Sequence, residues 1–123
     1  MRLLLDTHVL IWWDEGAKLS AKAGRAIREA EQVYVSAASA WEIAIKASLG
    51  RLSTTRSAAI AAAESGFEEL PVRTGHAEVV QVLPWHHRDP FDRMLVAQAM
   101  VEGLTLVTRV PVFQRYDVKV LKA

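Results

Sequence analysis

Three consecutive leucines, Leu3-Leu4-Leu5, stop abruptly at the carboxylate of Asp6. A strand with one face in water alternates apolar and polar residues, whereas an unbroken apolar run fits a strand buried on both faces. Such a strand needs a layer of structure on each side of its sheet, which points to an α/β architecture. The rest of the chain keeps to this scheme. Val33-Tyr34-Val35, β-branched and aromatic, predicts a second strand. Residues 67–72 have room for a short one, and residues 104–107 and 118–121 predict two more.

Helical segments fall between these strands. Residues 9–13 form an apolar turn or helix, and Ser20 caps a predicted helix over 21–31 that tolerates Gly24. A third helix starts at Ser36 or Ser39 and ends at Gly50. Its residues Trp41, Ala44, Ile45, Ser48 and Leu49 recur at helical spacing and are expected to face the core. A fourth helix runs from about Thr55 to Ser65, with Gly66 just beyond it. A fifth opens at Thr74 and reaches about Leu83, before Pro84. Asp89-Pro90 couples a capping residue to proline at the first helical position. The helix that follows, 90–102, is apolar on nearly every side and is expected to be buried, with Gly103 closing it. Strands separated by helices predict a mostly parallel central sheet flanked by helices, a three-layer α/β sandwich.

Composition narrows the partners. The length of 123 residues fits one domain, 1–123, with a real core. With 15 basic and 14 acidic residues the chain lacks the charge excess of a protein that holds nucleic acid by bulk charge, so any such binding needs a local basic rim. No cysteine is present, which excludes a disulfide frame and thiolate metal sites and fits a reducing compartment. The apolar content of 51% is generous for a small soluble domain and suggests that another chain covers part of the surface. Asp6 and His8 interrupt the apolar start and no 18-residue apolar stretch follows, so a soluble, unprocessed, cytoplasmic protein without membrane association is expected.

In open parallel sheets, ligands bind outside the carboxyl ends of the strands. Asp6 follows the first strand, Ser36 the second, and Thr108 the strand over 104–107. Asp89 and Asp92 begin the buried helix, and Glu42 lies on the third. These are hard oxygen ligands of the kind that Mg2+ and Mn2+ prefer, and two such ions can clamp a phosphodiester. Each residue also has a structural reading. Asp6 could cap the turn after its strand, although a carboxylate straight after three leucines at a ligand-binding edge favours function. Glu42 stands three after Ser39, a capping-box spacing, and four before Lys46, a helical ion-pair spacing. On position alone its structural reading prevails. Asp92 sits in a first helical turn, where acids suit the macrodipole, so its two readings balance. Asp89 reads as an N-cap. The four histidines, His8, His76, His86 and His87, show no metal spacing and are expected to be non-catalytic. The four tryptophans are expected as core or partner contacts rather than as platforms for bases.

The joint pattern is more specific than any one residue. Asp-Thr-His-Val-Leu-Ile-Trp-Trp at 6–13, Ser-Ala-Ala-Ser-Ala-Trp-Glu-Ile-Ala-Ile-Lys at 36–46 with Leu49-Gly50-Arg51-Leu52 after it, His87-Arg88-Asp89-Pro90-Phe91-Asp92-Arg93-Met94-Leu95, and Leu104-Thr105-Leu106-Val107-Thr108-Arg109 together resemble the four blocks of a PIN domain of the VapC toxin type. The resemblance implies a PIN-like sandwich with an acidic pocket that holds Mg2+ or Mn2+. The family's three acids fall on Asp6, Glu42 and Asp92, with Asp89 and Thr108 as accessory candidates. It also implies an endoribonuclease, commonly a homodimer, held inactive by a cognate antitoxin. Arg88, Arg93, Arg109 and Arg115 are candidates for holding the RNA backbone. One position departs from the pattern. The family often carries a fourth acidic or amide residue two after the Thr108 position, and Val110 stands there, expected to lie near the pocket. That leaves open a second reading, a module that binds RNA or antitoxin and cuts weakly or not at all. A third reading, phosphoryl transfer with Asp6 as nucleophile, would want an acid two residues on, where His8 stands.

Overall fold

Leu3, Leu4 and Leu5 expose no surface at all, and they divide between two cores. Side chains alternate across a strand. Leu3 and Leu5 therefore join one apolar cluster with Val33, Val35 and Val107, while Leu4 joins another with Leu106, Leu95 and Phe113. The structure, a computed structural model, describes residues 1–52 and 56–123. Its elements in chain order are β1 (Arg2–Leu5), α1 (Thr7–Asp14), α2 (Ala21–Glu29), β2 (Gln32–Ser36), α3 (Ala37–Ser48), α4 (Ala58–Glu64), β3 (Glu68–Leu70), α5 (Thr74–Val82), α6 (Pro90–Glu102), β4 (Thr105–Thr108), a 3-10 turn (Pro111–Arg115) and β5 (Lys119–Lys122). The start expected for the fourth helix, Thr55, lies outside the described residues; α4 itself is capped by Ser57, whose side chain accepts from the Ile60 N–H.

The five strands stand in the order β3-β2-β1-β4-β5, and every neighbouring pair is parallel. The sheet is thus wholly parallel, a stricter form of the expectation. Strand order runs outward from β1 through β2 to β3, then jumps back to β4 on the other side of β1. Right-handed crossovers place the connecting helices on one face for one direction of travel and on the opposite face for the other. Accordingly Ala23 and Ile27 of α2 and Ala58, Ala61 and Ala62 of α4 pack on the Leu3–Leu5 side. Leu95, Val96 and Ala99 of α6 pack on the Leu4 side. The reversal between β1 and β4 is the switch point at which such sheets open a crevice.

Two expectations fail. In α3 the stripe of Trp41, Ala44, Ile45, Ser48 and Leu49 does not face the core; Trp41 and Leu49 are exposed, and the buried residues are Ala38, Ser39, Glu42 and Ile43. Helical spacing identifies a face but not what the face meets. The α6 helix is buried through Arg93 and the run from Leu95 to Ala99, yet Met100 and Val101 near its end are exposed. As expected, Gly103 ends α6 in the left-handed conformation, with φ of 68°.

Candidate active site

Asp6 is the first residue beyond β1, and its N–H donates to the Val107 carbonyl of β4 at 3.0 Å. It also stands at the N-cap of α1, but its side chain makes no capping hydrogen bond there. The carboxylate is buried. Thr108, last in β4, donates its hydroxyl to Asp6 Oδ2 at 2.8 Å and accepts from the Val110 N–H at 3.0 Å. Thr108 is itself buried and oriented toward Asp6, so it holds a carboxylate rather than presenting a hydroxyl to solvent.

Thr7 and Ser39 join α1 to α3 through a buried hydroxyl pair 2.9 Å apart. One turn beyond Ser39 comes Glu42, only 5% exposed. Ser36, not Ser39, caps α3, accepting from the Ala38 N–H, so Glu42 lies inside the helix and no capping box involves it. The Lys46 ammonium donates to Glu42 Oε2 at 2.9 Å, which bears out the ion-pair spacing. Glu42 Oε1 is buried with no hydrogen-bond partner among the described residues. A buried acceptor left alone is costly, so this oxygen marks the site as incomplete.

The third element is the start of α6. Asp89 Oδ1 accepts from the Asp92 N–H at 2.9 Å, the expected N-cap. Asp92 Oδ2 meets His87 Nε2 at 2.7 Å. An edge-on contact of Trp41 with Phe91, 5.3 Å between ring centres, ties α3 to α6 one residue from Glu42 and one from Asp92. Burial pushes the Asp6 carboxyl above its ordinary range against the Thr108 hydrogen bond, and the charge of Glu42 adds to the rise. Burial, aided by the charges of Asp6 and Asp89, likewise pushes Asp92 up to about 6 against the bond from His87. The carboxylates from three separate elements therefore act on one another. Among the described residues, no three acidic or histidine side chains already form a metal-ligand set. Each of the three carboxylates instead keeps a partner from its own chain: Thr108, Lys46 or His87. A cavity of about 800 Å3 lies elsewhere, at the amino-terminal edge of the sheet beside Arg2, Thr105 and Lys119.

The four arginines expected at an RNA backbone separate. Arg88 and Arg115 are exposed. Arg109 is exposed too, but its guanidinium donates to the Ala123 and Lys18 carbonyls and lies 4.2 Å over the Trp12 ring. Arg93 is only 3% exposed. It donates to the carbonyls of Val80, Leu83, Pro84 and His87 and to the Tyr116 hydroxyl, so it organises the loop before α6 and is unavailable to a phosphate. Val110 is half-buried and packs against the cluster that includes Leu4, Leu106 and Phe113, while its N–H donates to the Thr108 hydroxyl that bonds Asp6. The contact that the sequence reading missed is His87 with Asp92. A spacing of five on a loop carries no metal or helical signal, and only the turn held by Arg93 brings the ring back.

Residues 3–119 match the PIN domain family model. The chain is 34% identical to Ribonuclease VapC22 of Mycobacterium tuberculosis over 116 residues, covering 87% of this chain and 85% of that protein. Among solved structures it resembles VapBC2 from Rickettsia felis bound to a promoter DNA fragment, with a TM-score of 0.74, 12% identity, and 99% and 98% of the two chains covered. DNA-bound VapBC from Salmonella typhimurium is similar at a TM-score of 0.70, with 20% identity and the same coverage.

Proposed function

Because the chain belongs to the PIN-domain family, we propose that it is a metal-dependent endoribonuclease, the toxin of a toxin–antitoxin pair, in which Asp6, Glu42 and Asp92 form the catalytic set. The observation that carries this reading is the gathering of three largely buried carboxylates from three elements at the switch point, with Glu42 Oε1 left without a partner among the described residues. Oxygen-only donors of this kind suit Mg2+ or Mn2+. The lone Glu42 oxygen and the mutual repulsion of Asp6, Glu42 and Asp92 fit a cation among them. Lys46 and His87 side chains are 39% and 25% exposed, so both can swing outward and release the carboxylates they hold. When bound, a divalent cation supplies positive charge opposite the scissile phosphate and acidifies a water molecule.

The chain's own residues do the rest. Thr108 fixes the orientation of Asp6, the Asp89 cap fixes the first turn of α6, and the Thr7–Ser39 pair fixes the approach of α3. Arg88 and Arg115, exposed beside or beyond the site, hold the RNA backbone, with Arg109 contributing what its present hydrogen bonds leave free. Similarity to VapBC complexes supports an antitoxin as partner, and we extend the reading to a homodimer working in the cytoplasm. Among the described residues no helix is long and apolar enough to cross a membrane. The alternative, a module that binds RNA or antitoxin and cuts weakly or not at all, rests on valine standing where the family often has a fourth acid; the three carboxylates and the Glu42 oxygen without a partner among the described residues favour cleavage.

The test is cleavage of single-stranded RNA by purified protein in Mg2+, Mn2+ or EDTA. Asp6→Asn, Glu42→Gln and Asp92→Asn should each lose at least about a hundredfold in rate, as removal of a charge-stabilising group does, while remaining folded. Expression of each variant should relieve growth arrest. Cleavage that survives EDTA and all three substitutions would falsify the assignment.

A further inference from the structure

Trp85 is 74% exposed, although an indole is among the costliest side chains to leave in water. It does not dangle. The guanidinium of Arg93 lies 3.8 Å from its ring centre, and that guanidinium is itself locked by hydrogen bonds to the carbonyls of Leu83, Pro84 and His87. Tyr116 secures the same loop, donating to the Pro84 carbonyl at 2.8 Å and accepting from the His87 N–H at 3.0 Å. The backbone on both sides of Trp85 is therefore held, one face of the ring rests on a buried cation, and most of the ring's surface stays open. Two residues later His87 reaches Asp92 at 2.7 Å, and two residues span at most about 7 Å of chain. Arg88, exposed, follows.

We propose that Trp85 is a stacking platform for an unpaired nucleobase of the RNA, one that sets where the strand lies relative to Asp6, Glu42 and Asp92. The inference rests on the ribonuclease reading above. A rigid, open aromatic face beside a phosphodiester-cutting site fits a planar base, because ordering the ring has already been done by the protein. Exposed Val82 precedes Trp85, but the residues that lead from Trp85 toward Asp92 favour a nucleic acid over a protein. Trp85 is followed by His86, His87 and Arg88, whereas Trp41, the other exposed tryptophan, continues along an apolar helical stripe through Leu49 of the sort that meets another chain. Stacking is sequence-tolerant but stronger for the larger rings, so a purine should be preferred at that position.

The experiment measures binding of a labelled 12-nucleotide single-stranded RNA in Mg2+, in the Asp6→Asn background so that the strand stays intact, beside the cleavage assay. Trp85→Ala should weaken binding about five- to tenfold, and Trp85→Phe should recover most of it. An abasic residue moved along the RNA should find one position whose loss weakens the Trp85 protein but not Trp85→Ala. Because Trp85→Ala could loosen the loop, melting curves accompany each variant, and Trp85→Phe with the abasic scan carries the test if the alanine protein is unstable. Equal affinity within twofold for all three folded proteins, or an abasic scan without such a position, overturns the platform while leaving the ribonuclease reading intact. Unchanged RNA affinity with altered self-association or antitoxin binding also overturns it and makes Trp85 a protein contact. Failure of the Asp6→Asn protein to bind RNA, together with failure of the unsubstituted protein to cut it, overturns both.

Discussion

Replacing Asp92 by asparagine should make the metal-free protein more stable at neutral pH, although it removes a carboxylate from a helix start where acids are usually favourable. Burial, with the charges of Asp6 and Asp89, pushes the Asp92 carboxyl from 3.8 up to about 6. A displacement of that size corresponds to roughly 3 kcal/mol, which solvent access to a side chain 17% exposed reduces to about 1.5 kcal/mol. The sign follows from proton binding. Between pH 3.8 and about 6 the folded protein holds a proton that the unfolded chain has released, so stability falls as pH rises through that window. Above it the full cost of the buried charge is present. Asparagine never ionises and avoids that cost, but it forfeits about 0.3–1 kcal/mol of interaction with the helix dipole. Above pH 6.5 in EDTA the variant should therefore gain on the order of 0.5–1 kcal/mol, a few degrees in melting temperature for a domain of this size. At pH 4 the gain should vanish. Circular dichroism melts at pH 4, 5, 6 and 7 at constant ionic strength read this directly, and the difference between the two proteins cancels groups common to both. Repeating the pair in a His87→Gln background separates the carboxyl from its ring partner. A difference that stays flat from pH 4 to 7 would refute the claim that Asp92 is held at high energy by its surroundings.

Three further outcomes follow. Mg2+ or Mn2+ should raise the melting temperature of the unsubstituted protein, by roughly 1.4 kcal/mol at ten times the dissociation constant, and Asp6→Asn or Glu42→Gln should shrink that rise; identical melts with metal and EDTA would count against the site. Arg93→Lys should destabilise the fold by about 3 kcal/mol or more, because an ammonium cannot reach the four carbonyls and the Tyr116 hydroxyl that the guanidinium serves, and urea unfolding measures the loss. Val110→Asp should cost up to a few kcal/mol in the same assay and cut no faster, since the half-buried valine packs against the apolar cluster that includes Leu106 and Phe113; faster cutting by a stably folded Val110→Asp protein would place position 110 in the site.

Much of this protein can be read along the chain. Leu3-Leu4-Leu5 announces a strand buried on both faces, and the alternation of strands and helices announces a parallel sheet. The ligand-binding rule for such sheets then directs attention to Asp6 and Thr108. Asp89-Pro90 and Gly103 mark the ends of α6 because capping is a local matter of hydrogen bonds and backbone angles. These properties depend on residues a few positions apart, so periodicity and spacing carry them.

What depended on the partner across space was decided only by the tertiary structure. The stripe of Trp41, Ala44 and Leu49 has the spacing of a core face, but α3 turns Ser39, Glu42 and Ile43 inward instead, because Ser39 bonds Thr7 and Ile43 joins the Leu3–Leu5 cluster. Glu42 reads locally as half of an ion pair with Lys46; its second oxygen, buried and without a partner among the described residues, exists only because α3 lies against α1 and α6. Arg93 has the composition of a site residue and the surroundings of a structural one, and Trp85 has the composition of core and the exposure of a surface. Sequence spacing sets which side chains share a face. Whether that face meets apolar packing, a buried cation or open solvent is set by the long-range contacts that closing the sheet brings about.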